Sequence, residues 1–118
     1  MLVSLDGTRF VPVRTKDIDR MTADRSTPAA ALAAKVLDSQ RPFAEAGGYY
    51  LWDVLAAVTA RRPDVVRADS IPLRVSLDSA EAGRTVRDAA GSATQVTIEA
   101  DAAGFERILL DTLLGRGQ

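Results

Sequence analysis

The spacing of apolar residues changes sharply at Pro63, and that change limits the folds open to this chain. Leu51, Val54, Leu55 and Val58 fall at i, i+3, i+4 and i+7, which predicts one face of a helix that Pro63 ends. Beyond Pro63 the period drops to two. Leu73, Val75 and Leu77 alternate with Arg74 and Ser76, the pattern of a half-buried strand. Helical spacing gives way to strand spacing within one chain, so the architecture must mix the two.

The remaining elements fit that frame. Leu2, Val3 and Leu5 form a short apolar strand, closed by a turn at Asp6–Thr8, and a second apolar stretch runs from Phe10 to Val13. Thr15 is placed to cap a brief helix whose first turn holds Asp17 and Asp19, where the helix dipole favours negative charge. A stronger start signal follows in "STPAAALAAKVLDSQ": Thr27 as N-cap and Pro28 at the first helical position. Ala29, Leu32, Ala33, Val36, Leu37 and Gln40 then recur at helical spacing, with Pro42 just beyond the expected end. "GRTVRDAAGSATQVTIEA" reads as two strands around a turn near Gly91, with Val96, Ile98 and Ala100 on one face. Asp101 caps a last helix with an apolar face of Phe105, Ile108, Leu109, Thr112 and Leu113, and Gly115 stops it.

The order strand, three helices, three strands, helix leaves the first strand isolated. Three helices separate it from its nearest pairing candidate, and a short strand of parallel type normally sits in a sheet covered on both faces. The expectation is an α/β chain forming a single partial domain over residues 1–118, its incomplete sheet belonging to a larger one.

Composition narrows the chemistry. With 47% hydrophobic and 26% charged residues the chain is of ordinary globular make-up, not a disordered one. A formal net charge of -1 gives no basic face for nucleic acid. No apolar run approaches a membrane span, and "MLVSLDGTRF" is no secretory signal, so a cytoplasmic protein is expected. The absence of cysteine excludes disulfides and thiolate sites; the absence of histidine removes His-based triads, His-ligated zinc and the usual general base near neutral pH. Any site must rest on Asp, Glu, Tyr, Arg, Thr or backbone.

One stretch concentrates such groups. "GGYYLWDVLAAV" puts Asp53 behind Tyr49, Tyr50 and Trp52 at the start of an apolar helix. An acid in a first helical turn serves the dipole and the cap, or else it serves as a ligand for a metal or polar substrate; local chemistry leaves both open. The aromatic residues equally suit packing under a loop or stacking on a planar ligand. Asp6 and Thr8 read as turn residues, and Arg61–Arg62 as a solvated helix end.

Taken in order, these segments resemble one family. "LVSLDGTRFVPVRTKDIDRM" is similar to the part of inosine–uridine-preferring nucleoside hydrolases where a strand ends in an "LD-x-T" turn before a helix. "GGYYLWDVLAAVTARRPDVV" resembles that family's later "WDPLAA" or "HDPLA" helix, while "VSLDSAEAGRTVRD" and "VTIEADAAGFERILLDTL" resemble its closing strands and terminal helix. The likeness is collinear over nearly the whole chain. It implies the C-terminal portion of a Rossmann-like α/β fold.

The resemblance implies a function as well. The family cleaves the N-glycosidic bond of ribonucleosides to ribose and free base, using a Ca²⁺-bound water and an aspartate base. On this implication Asp53 is the late calcium-ligating aspartate, and Trp52, Tyr50 and Tyr49 line the substrate pocket. Trp52 stands where the family often has His, and Val54 where Pro is common. The family's N-terminal D-x-D-x-x-x-D-D motif has no full match. "DIDRMTAD", Asp17 to Asp24, carries a superficial likeness but follows a turn into a helix.

No catalytic base is therefore assigned, and the chain is expected to be inactive alone, a fragment needing a missing N-terminal half or a homo-oligomer around its nucleoside substrate. The alternative is a non-catalytic interaction module or degenerate paralogue that keeps part of the fold. Neither nucleic acid nor membrane is expected as a partner.

Overall fold

The computed structural model describes residues 1–116. In chain order its helices are α1 (Leu5–Thr8), α2 (Thr15–Thr22), α3 (Pro28–Ser39), α4 (Arg41–Glu45) and α5 (Trp52–Arg61). A 3₁₀ turn, Pro63–Val65, leads into β1 (Val66–Val75), β2 (Thr85–Arg87) and β3 (Ser92–Ala100), and α6 (Ala102–Leu113) closes the described chain.

The strongest capping signals act as their chemistry requires. The Thr27 hydroxyl accepts the Ala30 N–H at 3.0 Å, with Pro28 beside it at the helix start. The Asp101 carboxylate accepts the Gly104 N–H at 3.0 Å, and Gly115, at a φ of 69°, ends the chain's last helix. Weaker signals shift. Thr15 is the first residue of α2 and not its cap; Arg14 takes that place, its N–H donating to the Asp17 carboxylate at 2.8 Å. The expected Asp6–Thr8 turn tightens into the one-turn helix α1, with the Ser4 hydroxyl accepting the Gly7 N–H. Pro42 does not mark the end of helical structure. It sits in the first turn of α4, where its missing N–H costs nothing.

The sheet has three strands in the order β2-β1-β3, all paired antiparallel. β1 is longer than its alternation suggested, and Leu77 lies outside it, 88% exposed. The chain has already turned at Ser76, whose N–H donates to the Arg84 carbonyl at 2.8 Å. A bulge between Arg67 and Ala68 also breaks the expected face of β3. Thr97 pairs with Ala68 and Glu99 with Arg67, which leaves Ile98 as the extra residue and turns Thr97 inward. Gly91 closes the β2–β3 turn where a Cβ would lie 2.5 Å from the Leu73 carbonyl carbon, so only glycine fits.

The isolated first strand finds a partner in the last one. Leu2 forms a single parallel bridge with Val96: its N–H donates to the Gln95 carbonyl at 2.7 Å, and its carbonyl accepts the Thr97 N–H at 3.0 Å. The contact that places α1 on β3 is close, since a Cβ at Gly7 would lie 3.0 Å from Thr97 Cγ2.

Between the sheet and the helices lies one apolar cluster that includes Val11, Ile18, Met21, Leu37, Leu55, Val65 and Phe105. α3 enters it by a different face from the one its larger residues describe. Ala30, Ala34 and Leu37 are buried while Leu32 and Val36 are exposed, because the small residues let α3 lie close against α2. Arginine–carboxylate pairs hold the helices on the outside. Arg20 bonds Glu106 across to α6 at 2.6 Å, and Arg41 bonds Asp19 of α2 at 2.7 Å and Asp38 of α3 at 3.0 Å. No described helix is long and apolar enough to cross a membrane.

Candidate functional site

The stretch that raised the functional question lies where the chain re-enters the core after α4. Gly47, at a φ of 74°, reverses the backbone. Residues 49 and 50 then run beside the Val11–Val13 segment: Pro12 and Tyr50 form an antiparallel bridge, and the Val13 N–H donates to the Tyr49 carbonyl at 3.0 Å. α5 starts directly afterwards, so the first turn of this helix is anchored by backbone pairing and by the buried Leu51 and Leu55.

The three aromatic residues meet there. Tyr49 stands edge-on to Trp52 with ring centres 6.1 Å apart, and Tyr50 tilts against the same indole at 5.9 Å. Both distances are those of favourable aromatic pairs. Tyr49 also packs on the apolar core, and burial pushes its phenol above the ordinary tyrosine range. Trp52 remains 41% exposed, which leaves part of its indole free for contact with something outside.

Asp53 is exposed in the first turn of α5. Among the described residues it has no ion pair and no side-chain hydrogen bond, and α5 has no side-chain cap. A capping role for this acid is thus absent. The other three acids of interest are engaged elsewhere. Asp17 accepts from Arg14 and Arg20, and Asp19 pairs with Arg41. Asp24 pairs with Arg116 and accepts the Ser26 N–H, which holds its carboxyl below the ordinary range. The likeness of "DIDRMTAD" to an acidic metal motif therefore resolves into caps and ion pairs.

Two residues gain importance over their sequence reading. Thr8, expected only as a turn residue, is buried in α1 beside α5, its hydroxyl donating to the Leu5 carbonyl at 2.7 Å. Thr97 is 4% exposed, and its Oγ1 has no partner among the described residues. Neither carries a spacing signal, since both positions follow from the α1–β3 contact.

Calcium takes about 6–8 oxygen ligands, several of them carboxylates. Among the described residues no group of three His, Cys, Asp or Glu side chains is placed to share an ion. Asp53 would be one hard oxygen donor and no more. These residues alone do not make a calcium site.

The architecture defines a class: it is part of a nucleoside hydrolase fold. The chain superposes on the inosine–uridine-preferring nucleoside hydrolase of Bacillus anthracis with a TM-score of 0.83 and 23% identity, covering 98% of its own length. On the purine-preferring ribonucleoside hydrolase of Gardnerella vaginalis the values are 0.70, 24% and 97%. The chain spans 36% and 39% of those two proteins. No family model matches, and no curated protein matches in sequence.

Proposed function

We propose that this chain forms one wall of the substrate pocket of a nucleoside hydrolase, an enzyme that splits the N-glycosidic bond of a ribonucleoside into ribose and free base. The observation that carries this reading is the superposition of almost the whole chain on two nucleoside hydrolases. In this reading Trp52, steadied by Tyr49 and Tyr50, presents its open indole face to the nucleobase, where stacking holds the leaving group. Departure of the base develops oxocarbenium character on the sugar, so a fixed anion nearby favours the transition state. Asp53 supplies a carboxylate at that point. It would contribute one oxygen to a Ca²⁺ shell whose other ligands lie outside these residues.

No catalytic base is assigned within the chain, and it is expected to be inactive by itself. The test is release of free base from inosine and from uridine. It is measured on the chain alone and on the chain joined with the portion of the Bacillus anthracis hydrolase that has no counterpart here, each with and without a chelator. Base release by the joined protein, lost with chelator or with Asp53→Ala, supports the reading. An inert joined protein whose calcium affinity is indifferent to Asp53→Ala counts against it.

A second reading, a non-catalytic interaction module, draws on the lone exposure of Asp53 and on the closed apolar cluster beneath it. It expects a cooperatively folding monomer whose melting temperature ignores Ca²⁺.

A further inference from the structure

β1 is the middle strand of the sheet, yet one of its two edges is mostly bare. β3 runs along one side of it, from Val66 to Leu73. β2 is short and covers only Leu73 to Val75 on the other. The Pro72 carbonyl points to that second side, because it accepts the Asp88 N–H at 3.0 Å. Alternate residues of a strand turn their backbone groups the same way. Ser70 and Ala68 therefore direct N–H and carbonyl outward, and among the described residues neither has a backbone partner there. No described helix packs along β1 to cover them.

Two charges flank Ala68. Arg67 and Asp69 lie on one face of β1, 3.9 Å apart, with side chains 62% and 59% exposed. Arg67 also bonds Glu99 on β3 at 3.0 Å, which holds its guanidinium over the sheet. Charges on a strand edge usually keep other strands away. A strand identical to this one is different, because the two signs stand equally far on either side of one residue. An antiparallel copy of β1, laid on the bare edge with Ala68 opposite Ala68, sets Arg67 against Asp69 and Asp69 against Arg67. Opposite charges facing each other across antiparallel strands are favourable, and like charges are not. The neighbouring two-fold alignments set Asp69 against Asp69 or Arg67 against Arg67, so the charges select one register. That register also opposes Val66 to Ser70 and stops short of β2.

We propose that the bare edge of β1 is a self-association surface, on which a second copy of this chain adds its own β1 antiparallel about a two-fold axis at Ala68. The patch is complementary to itself, as a two-fold interface requires. The site at α5 takes no part in it, so failure here leaves the hydrolase reading untouched.

Sedimentation equilibrium of the chain reads self-association, and amide hydrogen exchange reads the edge. The expected result is a monomer–dimer equilibrium in which exchange at Ala68 and Ser70 slows as concentration rises. Arg67→Asp and Asp69→Arg should each weaken self-association about tenfold or more, because each sets like charges opposite one another twice. Mixed in equal amounts, the two variants should pair with each other and restore the dimer, since every facing pair is then opposite in sign. A folding defect in either variant would give no such rescue. A native chain that stays monomeric overturns the proposal. So does a dimer indifferent to both reversals, one that mixing does not restore, or one in which Ala68 and Ser70 exchange no more slowly than in the monomer.

Discussion

The acids on the helical flank and the acid at the start of α5 live in opposite surroundings. Asp17, Asp19, Asp24 and Asp38 are each paired with at least one arginine, and the pairs run from α2 to α3, α4 and the end of the chain. Among the described residues Asp53 has none, and its neighbours in sequence are aromatic. The chain has 15 basic residues for 16 acidic ones, so not every carboxylate can have an arginine of its own. Glu45 and Asp111 are likewise without an ion pair among the described residues, so what sets Asp53 apart is its place in the first turn of α5 next to the exposed Trp52. The contrast separates acids that tie helices together from an exposed acid that, on the proposed function, meets a ligand.

Asp53→Ala breaks the comparison most sharply. In the joined hydrolase it should lower base release by at least about a hundredfold, the order of a lost transition-state electrostatic contact, while the melting temperature of the chain stays the same. A stability loss with activity retained would place Asp53 with the structural acids. Next in size, Leu55→Ala removes a fully buried side chain from beneath the site and should cost about 3 kcal/mol in denaturant unfolding. If it costs under about 1 kcal/mol, the cluster below α5 is looser than described.

Gly91→Ala tests the sheet half of the molecule. A methyl group would strike the Leu73 carbonyl, and a loss of about 2 kcal/mol is expected, measured by the same unfolding curve. Trp52→Ala should weaken nucleoside binding several-fold, read as a rise in KM larger than the fall in kcat, with little effect on folding because the ring is half open. Equal falls in kcat and kcat/KM would assign the indole to the transition state.

The smallest effect is that of pH on the helical flank. Hydrogen bonding from Arg41, with Arg25 adding to it, holds the Asp38 carboxyl below the ordinary range, and Ser26 does the same for Asp24. A carboxylate whose pKa is depressed in the folded state stabilises fully above its unfolded pKa. That contribution is lost as pH falls through the lower, folded value. Melting temperature should therefore be level from neutral pH to about 5 and slip below about 4, a slope that Asp38→Asn reduces and that salt weakens. A flat acid limb would mean these surface pairs hold nothing.

Much of the helical fold was legible because its signals are local. Thr27–Pro28 and Asp101 satisfy orphan N–H groups within one turn, so no distant residue was needed to find those helix starts. The aromatic cluster around Trp52 was legible for the same reason, its members lying within four positions. What failed was long-range. Leu32 and Val36 look like a helix's buried face, yet α3 turns Ala30 and Ala34 inward, because how closely two helices approach is a property of the pair.

The residues alone determined where helices begin, where the period changes from helix to strand, and which chemistry was available without histidine or cysteine. Tertiary structure alone decided that Leu2 joins β3, that a bulge turns Thr97 inward, and that Asp19 and Asp38 meet arginine while Asp53, among the described residues, does not. The reason is distance along the chain: capping and periodicity act within a few residues, whereas strand register and ion pairing join groups whose separation in sequence carries no mark of their meeting.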